Sequence, residues 1–171
     1  MTFDETWSET EVHTVSPNEQ VFVTMTGDRD IRVSFAPGYY ERATRQQLVE
    51  QLQRTARQAF IDRTRAFFDE LGRERGTAVR PSRSIVTPRD AEYWRRLDAL
   101  EATGSSSDGS VSGVLVGSEH LTVLIAPGTL ERLDAHAFAA AASEAATRLL
   151  ADHLAKAMQV KLDVYLPDRA R

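Results

Sequence analysis

Any chemistry on this chain has to come from four histidines, a serine-rich turn, scattered carboxylates or a large set of arginines. His13, His120, His136 and His153 stand at no metal-ligand spacing from one another or from a carboxylate pair. No metal or other cofactor is expected. His153 falls within the apolar stripe of a helical segment, so it reads as a partly buried or interface histidine. Residues 105–110, Ser-Ser-Ser-Asp-Gly-Ser, bring hydroxyls beside a carboxylate. No strand-to-helix nucleophile elbow surrounds them and no base is placed nearby, so they read as a hairpin loop. Gly27, Gly38, Gly117 and Gly128 punctuate turns without forming a phosphate cradle. Asp28, Asp30, Glu41 and Glu131 lie at turns and are expected to be solvated. The chain has no cysteine, which excludes disulfides, thiol catalysis and thiolate metal sites. No enzyme signature remains, and the chain is expected not to be an enzyme.

The arginines are the one constellation with a functional pattern. They make up 19 of the 21 basic residues. Net charge is −4, unevenly spread. Residues 1–41 hold two Arg against eight acids, a net of −6, and residues 42–96 hold thirteen Arg against seven acids, a net of +6. Residues 97–171 hold six bases against ten acids, a net of −4. On a helical wheel with Arg54 at 0°, Arg57 falls at about 300° and Arg65 at about 20°, opposite an apolar stripe centred near about 190°. Arg73, Arg75, Arg80 and Arg83 follow. Guanidinium forks match phosphate oxygens, so these seven are the candidate nucleic-acid contacts. The same residues also fit a solvated face partly neutralised by Glu50, Asp62, Asp69 and Glu70. Aromatics are not interleaved among them, which argues against stacking on single-stranded bases. Tyr39 and Tyr40 sit in an irregular stretch and read as packing residues.

The elements that would position these side chains occur twice. Residues 31–38 read Ile-Arg-Val-Ser-Phe-Ala-Pro-Gly, and residues 121–128 read Leu-Thr-Val-Leu-Ile-Ala-Pro-Gly. At a constant offset of 90, Val21 falls on Val111, Gly27 on Gly117, Ile31 on Leu121, Ala56 on Ala146 and Phe60 on Leu150. Physical roles agree over more than fifty positions without a gap, which marks one unit duplicated and diverged.

In the first copy, alternation over Glu9–Val15, Gln20–Thr26 and Ile31–Phe35 predicts three strands. Ser16-Pro-Asn-Glu19 and Gly27-Asp-Arg-Asp30 supply the turns. Thr44 with Gln47 is a capping box, and Leu48, Leu52, Ala56, Ala59, Phe60, Ala66, Phe67 and Leu71 form one stripe of a long helix ended by Gly72 or Gly76. No room is read for a helix before residue 9. In the second copy, Pro88 at a helix start predicts a short helix that precedes strands near Ala99–Gly104, Val111–Val116 and Leu121–Ile125. A second long helix follows from about Ala135 to Met158. The tail 159–166 fits either a strand or a helix end. The predicted organisation is α+β: residues 1–76 as a β-β-β-α unit, 77–87 as linker and 88–171 as an α-β-β-β-α unit.

Leu97-Asp-Ala-Leu-Glu-Ala-Thr103, Ser107-Asp108-Gly109, Ala126-Pro127-Gly128 and the Asp134-capped, Ala-rich helix together resemble the YbaB/EbfC family in its actinobacterial form. The resemblance covers about residues 85–162 well and about 9–71 more weakly. It implies a small helix–three-strand–helix protein that dimerises, is nucleoid-associated and binds DNA without enzymatic activity. Three departures stand out: the chain is tandem, its first unit has no room for the leading helix before residue 9, and it is acidic overall. A tandem chain implies an intrachain pseudo-dimer, with a homodimer on top of it as a further option. Relatives that accompany actinobacterial type VII secretion imply the alternative, a protein-interaction module, scaffold or chaperone-like factor with a protein client. The expected partners are therefore duplex DNA or a client protein. No apolar run is long enough to span a bilayer, and the expected location is the cytoplasm, with the nucleoid implied by the resemblance.

Overall fold

Residues 2–167 are described here in a computed structural model. The described chain opens on a capping box, in which the Glu5 N–H donates to Thr2 Oγ1 and the Thr2 N–H to Glu5 Oε2. It starts helix α1, Phe3–Glu9, where the sequence reading left no room for one. Strands β1 (Glu11–Val15), β2 (Val21–Thr26) and β3 (Asp30–Phe35) form an antiparallel meander in that order. A one-turn helix α2, Tyr39–Arg42, holds the two tyrosines that the sequence reading left in an irregular stretch. The long helix α3 then runs Arg45–Arg75 and ends at Gly76, whose φ of 64° gives the left-handed stop.

Residues 77–87 carry no helix or strand. Helix α4, Pro88–Asp98, leads into β4 (Glu101–Ser105), β5 (Val111–Val116) and β6 (His120–Ile125), a second meander. Helix α5 (Thr129–Arg132) and the long helix α6 (Ala135–Tyr165) follow. The tail therefore continues as helix well past Met158. Val160 and Val164 keep it regular by burying against Leu100 and Ala102, and Tyr93 and Leu97 of α4 pack on that cluster. The Tyr165 hydroxyl donates to Asp90 Oδ1 at 2.6 Å and ties the end of α6 to the start of α4.

Every ladder pair of the first sheet recurs 90 residues later. Met25 pairs with Ile31 and Leu115 with Leu121; Thr14 pairs with Val23 and Gly104 with Gly113. Helices α3 and α6 bear the same offset at both ends. The two copies are thus equivalent strand for strand.

They also share one core. Val21, Met25, Leu48 and Leu52 of the first copy bury in the same cluster as Val111, Ile125, Phe138 and Leu150 of the second. Leu150 is buried as expected, but its repeat partner Phe60 is only partly buried; one side of its ring meets His153, and it lines an open cavity between the two copies. The helices cross between copies. On α6, Ser143 Oγ accepts the Val33 N–H at 2.8 Å and Thr147 Oγ1 accepts the Ile31 N–H at 3.0 Å, along the outer edge of β3. On α3, Gln53 Oε1 accepts the Val123 N–H at 2.9 Å along the outer edge of β6, and the Arg45 guanidinium donates to the Ile125 carbonyl there. The outer edges of β3 and β6, which would otherwise present open backbone, are thus met by the other copy's helix.

The copies differ in how closely their helices sit. A Cβ on Gly104 of β4 would come within 2.3 Å of the Ala145 carbonyl oxygen and the Leu149 nitrogen of α6. Its repeat partner is Thr14, whose hydroxyl donates to Asp62 at 2.7 Å instead. Gly104→Ala is therefore expected to destabilise the chain by about 1–3 kcal/mol or more through overpacking, measured in urea melts. Ser143→Ala leaves the Val33 N–H unpaired and is expected to cost about 1–3 kcal/mol in the same measurement.

Candidate functional site

Helix α3 presents the arginines because its other side is spent on the core. Leu48, Leu52, Thr55, Ala59 and Arg63 are its buried positions, with Ala56, Phe60, Ala66, Phe67 and Leu71 partly buried. Arg54, Arg57 and Arg65 are exposed, as the wheel predicts. Arg65 stands eleven residues beyond Arg54, about 16 Å along the axis. Among the described residues none of the three is ion-paired or hydrogen-bonded through its side chain. Arg75 and Arg80 are exposed and equally unpaired. Arg73 and Arg83 are exposed but engaged. Arg73 pairs with Glu70, while Arg83 pairs with Asp98 and lies 4.8 Å from the Trp94 ring centroid. The seven candidates thus divide into five with free guanidinium groups and two already neutralised.

Arg63 has a different role. Its guanidinium is buried, pairs with Asp28 and sits 5.4 Å from the Trp7 ring centroid. Trp7 Nε1 donates to the same Asp28 oxygen at 2.8 Å. Asp28 is exposed, as expected, and also anchors α1 to α3 through Trp7 and Arg63. Phe67 extends that contact with edge-on approaches to Phe3 and Trp7, both at 5.2 Å.

Arg57 is set apart from the other free arginines by what it faces. Its repeat position on α6 is Thr147, which seals the Ile31 N–H. The matching N–H on β6 belongs to Leu121 and has no partner among the described residues. An apolar cavity of about 110 Å³ opens at this point between the two copies. Val23, Ile31, Val123 and Leu150 line it, and the exposed Arg57 and Ser118 stand at its mouth. Ala56 and Ala146, which occupy the same repeat position, both line it as well. Two small side chains at one repeat position were its only sequence signal.

His153 lines the same cavity. It is 8% exposed, its ring meets Phe60 edge-on at 5.5 Å, and its Nδ1 has no hydrogen-bond partner. Burial holds its pKa below the ordinary 6.5, the Arg63 charge adds to that shift, and Asp152 opposes it.

Among the described residues no group of three or more His, Asp or Glu side chains could hold a metal ion. No helix among them is long and apolar enough to cross a membrane. The serine-rich run 105–110 closes on itself as a hairpin. Asp108 Oδ1 accepts from Ser106 and Ser110, which holds its carboxyl well below the usual range. Comparison with protein-family models, curated proteins and solved structures finds no match to this chain. The YbaB/EbfC resemblance thus rests on the residues that carry it.

A histidine with a depressed folded pKa binds its proton more readily when unfolded. Its contribution to stability is complete above pH 6.5 and is lost as pH falls from there through the folded value. Urea melts at pH 7.5 and 5.5 are expected to show a loss in the natural chain that His153→Gln reduces.

Proposed function

We propose that this chain is a non-enzymatic DNA-binding protein of the nucleoid-associated type, which holds duplex DNA through its phosphates and is indifferent to sequence. One observation carries the reading. Arg54 and Arg65 on the outer face of α3, Arg75 in its last turn and Arg80 just beyond it are all exposed and, among the described residues, free of carboxylate partners. Guanidinium groups so disposed along one helix and its exit suit a phosphate backbone, which offers charge without a base code. Arg57 belongs to the same face but also guards the cavity, so the other four define the DNA surface most cleanly. Arg73 and Arg83 are neutralised and contribute less. The acidic flanks and the net charge of −4 oppose binding, so the affinity is weak and strongly salt-dependent. The resemblance to YbaB/EbfC proteins supports the same reading.

A second reading, as a protein-interaction module, scaffold or chaperone-like factor of type VII secretion, is favoured by the linker. Ile85 and Val86 are 62% and 82% exposed, close in sequence to Arg83, which lies over Trp94. A mobility-shift titration separates the two readings. With four phosphate contacts, log K should fall against log salt with a slope of about −3.6. Arg54→Gln with Arg65→Gln should flatten the slope by about two units and leave the melting curve unchanged. Absence of any shift of duplex DNA at about 50 mM salt and micromolar protein rules out the DNA reading.

A further inference from the structure

The cavity between the two copies is built differently from the rest of the core. Where the helices cross, three outward N–H groups are sealed by side-chain hydrogen bonds, at Ile31 and Val33 through Thr147 and Ser143 and at Val123 through Gln53. At Leu121 the repeat supplies Arg57, a donor, opposite another donor. No hydrogen bond can form between them, and both await an acceptor. A carboxylate is such an acceptor. It has two oxygens, one for the Leu121 N–H and one for the guanidinium, and its charge is paired by Arg57. Behind this mouth the lining is almost wholly carbon, with His153 Nδ1 the one buried polar atom left unpartnered. An apolar cavity of about 150 Å³ takes up benzene, so about 110 Å³ with an open mouth suits one small ring whose polar end stays outside.

We propose that this cavity is a binding site for a small aromatic monocarboxylate. Its ring fills the space between the sheets and its carboxylate rests on Arg57 and the Leu121 N–H. A hydroxyl on the far side of the ring pairs with His153 Nδ1. The ligand completes the crossing edge at Leu121, where the repeat supplies no acceptor. The site goes beyond the DNA reading and does not depend on it, because Arg54, Arg65, Arg75 and Arg80 line no part of the cavity.

The test uses the full chain with phenylacetate, 4-hydroxyphenylacetate and toluene as probes, followed by backbone amide NMR shifts. Both rings are expected to perturb the core residues, and phenylacetate to move the Leu121 amide farther downfield than toluene does, because only the carboxylate accepts that N–H. Arg57→Gln should weaken phenylacetate about tenfold and leave toluene unchanged, since a charge-assisted contact is lost and the apolar one is kept. The added hydroxyl should tighten binding several-fold in the natural chain and give no gain in His153→Leu. Ala146→Leu should fill the cavity and abolish uptake of all three probes. A Leu121 amide moved no farther by millimolar phenylacetate than by toluene, or equal phenylacetate affinity in the natural chain and Arg57→Gln, overturns the proposal. Loss of DNA binding in Arg54→Gln with Arg65→Gln, with phenylacetate uptake intact, shows that the two sites are separate.

Discussion

A three-stranded meander cannot satisfy itself. Its outer strands present unpaired N–H and C=O groups, and one of its faces needs an apolar cover. Everything else in this fold answers that constraint. The hydroxyls of Ser143 and Thr147 reach across from the second copy to seal β3, and Gln53 reaches back from the first to seal β6. Because the seals are exchanged, neither helix can leave without opening the other copy's edge. The shared cluster of Val21, Leu48, Val111 and Phe138 follows from the same crossing. A duplicated chain supplies within one molecule the second copy that a single unit would need.

Duplication also explains where the molecule departs from symmetry. Positions that share one structural role have diverged in chemistry, and the divergences gather around the crossing. Thr147 seals an edge, and its counterpart Arg57 cannot. Gly104 lets α6 press on β4, where α6 also caps the strand: Asp152 accepts the Thr103 N–H at 2.8 Å and Lys156 donates to the Glu101 carbonyl at 2.9 Å. The counterpart Thr14 keeps α3 farther from β1 and spends its hydroxyl on Asp62. His153 is buried and unpaired at Nδ1, whereas its counterpart Arg63 is buried and paired with Asp28. In each case one copy keeps the structural solution and the other departs from it.

Much of this was legible in the sequence. The 90-residue offset, the strands, the long capped helices and the exposure of Arg54, Arg57 and Arg65 follow from turn residues and periodicity, which are local signals. Helix α1 was not expected: the Thr2–Glu5 capping box that starts it is a local signal too short to establish a helix alone. What makes the short helix stable is remote: Trp7 docks on Asp28, Arg63 and Phe67. The helical tail was open between strand and helix because Val160, Leu162 and Val164 alternate, and the burial of Val160 and Val164 against Leu100 and Ala102 decides it. The pairing of Arg73 and Arg83, and the placement of Arg57 and His153 on one cavity, depend on contacts between distant segments. Periodicity within a segment carries no information about those.

The exchanged seals require the two copies to unfold together. Native-state hydrogen exchange of the central-strand amides, on β2 for the first copy and β5 for the second, tests this most directly. Both strands should open with the same free energy and the same dependence on denaturant, equal to those of global unfolding. If β5 amides open at a lower free energy and a smaller denaturant slope while β2 stays protected, the copies are separable units. The crossing of α3 and α6 would then not be what holds the fold together.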